Sequence, residues 1–225
     1  MHIEPGVVDG AKMALGAATA AGAAGITVKL ASEAAKEGGL ASLATRSVIS
    51  TAAVFSFFQV LPHHPVGISE VHLILGSTLF LLFGRAPAMI GLAAGLLLQG
   101  LLFAPTDLPQ YTMNITTLLV PLYAMSLLAA RIIPKGTAYK DISYLQALKL
   151  SSTFQAGIVA WVAFWAFYGQ GFGAENLASV ASFGAAYMLV ILLEPLVDLA
   201  ILAAAKTLHR YKDSGLFTLR LFAAA

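Results

Sequence analysis

Long apolar runs broken by short polar clusters fill the chain from Val7 onward. A helix that crosses hydrocarbon needs about 20 mostly apolar residues. Seven segments read as spans: about Val7–Leu30, Ser47–Leu61, Val71–Gly84, Pro87–Phe103, Met113–Ile133, Leu150–Tyr168 and Ala181–Ala205. The second is short and ends at Pro62. The third and fourth meet in GRAPAM, where Gly84 and Pro87 break the helix and Arg85 marks a water interface. Pro134-Lys135-Gly136 stops the fifth, and Trp161 and Trp165 in the sixth read as lipid-facing or packing aromatics. The pattern predicts an all-α integral membrane protein of about seven transmembrane helices in a single transmembrane domain, residues 1–225.

Composition agrees. Hydrophobic residues make up 59% of the chain and charged residues 11%, against about 25% charged in a soluble domain. The mean hydropathy is +0.83. Cysteine is absent, which removes disulfides, thiolate metal sites and thiol catalysis. No cleavable signal peptide is expected, because the first residues lack a basic n-region.

Charge position then sets the orientation, since Lys and Arg collect in short cytoplasmic loops. With the N-terminus outside and the C-terminus inside, twelve of the thirteen basic residues lie on the inner side, with Arg46 in the first inner loop, and only Lys12 lies near the outer end. The same map puts His2, His63, His64 and His72 at the outer face, with Glu4, Asp9, Glu70, Asp107 and Glu175. An acidic, imidazole-rich outer face is what a site that gathers a divalent cation requires. Nothing in this distribution points to nucleic acid.

The opening MHIEPG carries candidate chemistry. A free Met1 amine, the His2 amide nitrogen and the His2 imidazole close a five- and a six-membered chelate ring, and a second imidazole completes a square. Planar nitrogen coordination favours Ni(II) or Cu(II). The amide must lose its proton, so binding weakens in acid. The alternative is a polar terminus without a metal. His63 and His64, in the Pro-bracketed loop LPHHPVG, read either as solvated loop histidines or as an accessory capture site. His72 falls in the first turn of the predicted third span, where Ser69 is placed to cap the helix and Glu70 suits its positive end. An ionisable residue at that depth is a functional candidate.

Terminal MHI, Gly6, and Gly67-Ile68-Ser69-Glu70-Val71-His72-Leu73 followed by Gly76 resemble the CbiM/NikM family. These are substrate-binding membrane components of energy-coupling-factor cobalt and nickel transporters. The small-residue first span and Asn114 in TMNITTL fit as well, so the resemblance covers essentially the whole chain. It implies Met1, His2 and His72 as metal ligands, with Ser69 and Asn114 around them. It also implies a coupling transmembrane subunit, cytoplasmic ATPase subunits, a small accessory membrane subunit, and residence in the cytoplasmic membrane of a prokaryote. The metal it implies is transported Ni(II) or Co(II), with no permanently bound cofactor expected. Glu4 and Pro5 depart from the family's MHI-x-[DE]-G order.

No G-x-x-x-x-G-K-[ST] motif occurs, so ATP hydrolysis would fall to another subunit and the chain reads as a transporter component, not an enzyme. In the first span, Ala14, Ala18 and Gly22, and Ala17, Ala21 and Gly25, recur at four-residue spacing. Small residues so spaced let helices approach closely in lipid, either within the chain or against a partner. Glu194 and Asp198 share one face of the seventh span. They read equally as structural hydrogen-bonding groups or as the relay of an ion-coupled carrier or membrane enzyme.

Overall fold

The structure, a computed structural model, describes residues 3–134, 137 and 141–207. Its helices in chain order are α1 (Met13–Gly38), α2 (Leu40–Val60), α3 (Gly76–Phe83), α4 (Arg85–Leu102), α5 (Tyr111–Ile132), α6 (Tyr144–Gln170) and α7 (Ala174–Thr207). Short 3-10 turns at Gly10–Lys12 and Pro105–Gln110 lead into α1 and α5. Six of the seven, all but α3, are long and apolar enough to cross a membrane. Hydrocarbon offers backbone groups no water, so helices that satisfy themselves are what cross it. The chain is an all-α integral membrane protein.

Three helices begin earlier than the hydropathy predicts: α2 at Leu40, α6 at Tyr144 and α7 at Ala174. The apolar runs stop at Arg46, Lys149 and Glu175, but a helix continues through a charge wherever its backbone is still satisfied. Arg46 is therefore no loop residue. It lies buried within α2, where its Nη1 donates to the Phe83 carbonyl at 2.8 Å.

The third pass departs most from expectation. Residues predicted to begin a helix at Val71 instead form a hairpin, β1 (His64–Val66) against antiparallel β2 (Ser69–Val71), turning at Gly67-Ile68. Non-helical chain follows to Leu75, which is left-handed, and α3 starts only at Gly76. Eight helical residues rise about 12 Å, less than half of the hydrocarbon thickness. The predicted third span is therefore an eight-residue helix preceded by non-helical chain.

Close helix contacts hold the bundle together. Gly91 and Gly95 of α4 face Ser50 and Val54 of α2, and a Cβ at Gly91 would overlap Ser50, including its backbone. On α6, Ser143 and Gln146 form a capping box, and Gln146 Nε2 also donates to the Ile132 carbonyl that ends α5. Trp165 is fully buried and Trp161 half-buried, so both serve packing. The two small-residue stripes of α1 point outward: Ala14, Ala18, Gly22, Ala17, Ala21 and Gly25 are all exposed, with open space at both glycines. Intramolecular packing is not their use.

Candidate metal-capture site

The site begins with the first described residue. Ile3 is 1% exposed, pairs with Ser69 in an isolated antiparallel bridge, and donates its N–H to Asn114 Oδ1 at 2.9 Å. Next, the Glu4 N–H bonds to the Ile68 carbonyl at 3.1 Å. The N-terminal segment thus lies along the hairpin as an added edge. It then reverses, with Val7 N–H donating to the Glu4 carbonyl at 3.2 Å. Pro5 and Gly6 are the two central residues of that turn, and Gly6 has φ +88°. A type II turn asks for proline first and a residue tolerant of positive φ second. Glu4-Pro5-Gly6 is therefore the order this turn needs, which accounts for the departure from the family pattern.

Ser69 and Asn114 are both buried, and both hold Ile3, the residue directly after the Met1-His2 pair. Met1 and His2 themselves lie outside the described residues. Ser69 does not cap α3 as predicted, because it sits in β2, seven residues before Gly76. No side chain of the N-cap residue, Leu75, caps that helix either.

His72 is not in a helical turn but in the extended chain after β2, and it is 1% exposed. In extended chain, residues i and i+2 share a face, and Glu70 Oε2 accordingly stands 2.7 Å from His72 Nε2. An ionised carboxylate only accepts, so in the neutral imidazole this contact favours the proton on Nε2, a tautomer in which Nδ1 is the nitrogen that can ligate a metal. Phe58 of α2 lies against the ring at 5.3 Å, and His63 stacks on it at 5.0 Å with planes 10° apart. His63 therefore joins the site. His64 is exposed at the far end of β1, paired through its backbone with Val71, and takes no part in that stack.

The surroundings are acidic. Burial pushes the Glu4 carboxyl above the usual range, and the nearby charges of Glu70 and then Asp107 push it further in the same direction. Asp107 and Asn114 line one small recess with Tyr111. Among the described residues, no three His, Asp or Glu side chains converge well enough to hold a metal ion. The described part of the site contributes one imidazole, a stacked second one, and a buried anchor for the N-terminal segment.

The sequence profile of the CbiM family, described as the cobalt uptake substrate-specific transmembrane region, matches residues 2–211. The chain belongs to the CbiM family. No curated protein and no solved structure matches it. Family membership makes this CbiM chain a membrane component of cobalt uptake, consistent with its multi-pass fold.

Two residues whose role the sequence left open have partners in this CbiM structure. Glu194 Oε1 accepts from the N–H groups of Ile74 and Leu75, both at 2.7 Å, and Glu194 Oε2 accepts from Gln155 Nε2. Asp198 accepts from the hydroxyls of Ser77, at 2.8 Å, and Thr78. Apart from Gln155 of α6, these partners are donors at the start of α3. The pair therefore acts as the anionic cap of that helix, which favours the structural reading over the relay. Glu70 was the missed neighbour of His72. Its i, i+2 spacing flags it once the segment is known to be a strand.

Proposed function

We propose that the chain captures Ni(II) or Co(II) at the outer face of a prokaryotic cytoplasmic membrane, as the substrate-binding component of an energy-coupling-factor importer. The metal would be held by the Met1 amine, the His2 amide and imidazole nitrogens, and His72. Ser69 and Asn114 set the position of the N-terminal segment, and His63 backs the His72 ring. The observation that carries this reading is the anchoring of Ile3. The residue after Met1-His2 is buried, bridged to Ser69 three positions before His72, and hydrogen-bonded to Asn114.

Energy would come from separate ATPase subunits through a coupling membrane subunit. The exposed Ala/Gly stripes of α1 offer that partner a surface where backbones approach closely. The acidic surround of Glu4, Glu70 and Asp107 attracts a cation and repels anions.

The test is titration of the purified protein, with its native N-terminus, by Ni(II) and Co(II) in parallel. His2→Ala, His72→Ala and a form carrying extra residues ahead of Met1 are each expected to lose high-affinity binding. Unchanged affinity in the extended form would defeat the proposal. The ratio of the two affinities decides which metal is the substrate.

A further inference from the structure

The chain leaves helical geometry between Val71 and Gly76, inside a segment that is otherwise apolar enough to be helix. Something must pay for that departure, and α7 faces it. Tyr187, Glu194 and Asp198 lie seven and four residues apart, on one buried face of α7. Tyr187 Oη lies 3.5 Å from the His72 carbonyl, Glu194 takes the N–H groups of Ile74 and Leu75, and Asp198 takes the hydroxyls of Ser77 and Thr78. Leu75 is the one non-glycine residue with positive φ among the described residues, at φ 55° and ψ 34°. A leucine rarely adopts that conformation unless its surroundings impose it. Its N–H is one of the two held by Glu194.

We propose that Glu194 is a positioning residue for His72: its carboxylate halts α3 at Gly76 and keeps residues 72–75 out of the helix, with Leu75 in its left-handed conformation, so that the imidazole reaches the capture site. The inference rests on the reading of His72 as a ligand. Without the carboxylate, the Ile74 and Leu75 N–H groups lose their acceptor, and right-handed helix, which gives the Leu75 N–H the Val71 carbonyl, competes for this stretch. Extended chain rises about 3.3 Å per residue and helix 1.5 Å. Winding residues 72–74 from extended chain into α3 would draw His72 inward by about 5 Å, out of the stack with His63 and away from Glu70. Asp198 takes its α3 donors from Ser77 and Thr78, inside the helix and not from residues 72–75, so it provides the internal control.

The experiment is Co(II) and Ni(II) titration of the full chain with its native N-terminus, beside thermal unfolding of each variant in the same detergent. Glu194→Asp keeps the charge but pulls it back by one methylene, and is expected to weaken binding about 10- to 100-fold, as supporting residues of metal sites do. Glu194→Gln keeps an oxygen acceptor for the two N–H groups and is expected to bind close to wild type. Asp198→Asn is expected to lower the unfolding temperature and leave affinity close to wild type. Glu194→Asp at wild-type affinity, Glu194→Gln as weak as Glu194→Asp, or Asp198→Asn weakened as much as Glu194→Asp would each overturn the inference. His72→Ala separates the two levels. Loss of binding in His72→Ala beside an unimpaired Glu194→Asp defeats the positioning role alone, whereas full affinity in His72→Ala defeats the capture reading and this inference with it.

Discussion

The third and fourth passes are joined by a single glycine, Gly84, and both are built from apolar residues, yet they cross in different ways. The fourth is an unbroken helix of 18 residues, and its Gly91 and Gly95 let α2 lie directly against it. The third is half non-helical chain and half an eight-residue helix. What differs is the source of backbone hydrogen bonds. Helix α4 supplies its own. The third pass takes them from the hairpin, from Glu194 at the start of α3, and from Arg46 at its end. Irregular backbone at membrane depth survives only where protein groups satisfy it. Here opposite charges from α7 and α2 sit on the matching ends of one short helix dipole. The exposed α1 and the clamping α7 make the same point for helix faces: one leaves small residues for a partner, and the other spends its polar residues inside.

The largest effect should follow from removing the N-terminal clamp. Glu194→Ala orphans three buried donors at about 1–3 kcal/mol each, so a loss of about 3–9 kcal/mol is expected in reversible unfolding in detergent. A loss below that of any Gly91 variant would break the contrast between the two passes. Gly91→Ala comes next, at about 1–3 kcal/mol, because its methyl group overlaps Ser50 and α2 must move. Metal affinity should be nearly unchanged in that variant, since the fourth pass contributes no proposed ligand.

Arg46→Met should cost about 1–2 kcal/mol, since it removes only the C-terminal half of the clamp and replaces a cation with an apolar side chain of similar reach. Hydrogen exchange should then quicken at the inner end of α3 and not at Ile74 or Leu75. The reverse pattern would mean that the two clamps are not separable.

The smallest effect concerns Glu4. Its folded-state pKa is raised, so the fold binds that proton more tightly than the unfolded chain does. Stability from this group is present below its ordinary value and is lost as pH rises through the raised one. Glu4→Gln should therefore raise the unfolding temperature slightly at neutral pH and flatten its pH dependence in the weakly acidic range. A bound divalent cation favours the ionised form, so metal affinity should climb with pH across the same window, less steeply in Glu4→Gln. A steeper climb in the variant would remove Glu4 from the site's electrostatics.

Much of this was legible in the residues. Apolar run length and the segregation of Lys and Arg predict the helical membrane fold and its orientation, because both answer to the bilayer, which is the same along the whole chain. The paired motifs around Ile3 and His72 pointed to the segments where Ser69 and Asn114 hold Ile3 and where Glu70 and His63 meet His72. The hairpin was not legible. Hydropathy averages over a window, and the segment after Val71 is apolar enough to pass as helix. Only the partners of its backbone, brought about 120 positions along the chain from α7, distinguish the two conformations. Glu4-Pro5 looked like a defect in a motif until the Glu4–Val7 hydrogen bond showed it to be the sequence of a turn.

The sequence by itself thus determined the solvent, the helical class and six of the seven predicted spans. These follow from local composition acting against a uniform environment. The tertiary structure alone decided where α3 begins, that Glu70 holds the His72 ring, that His63 and not His64 stacks on it, and that Glu194 and Asp198 serve a helix end. Each of these depends on which distant groups meet, and a buried polar group takes its role from the partner that satisfies it.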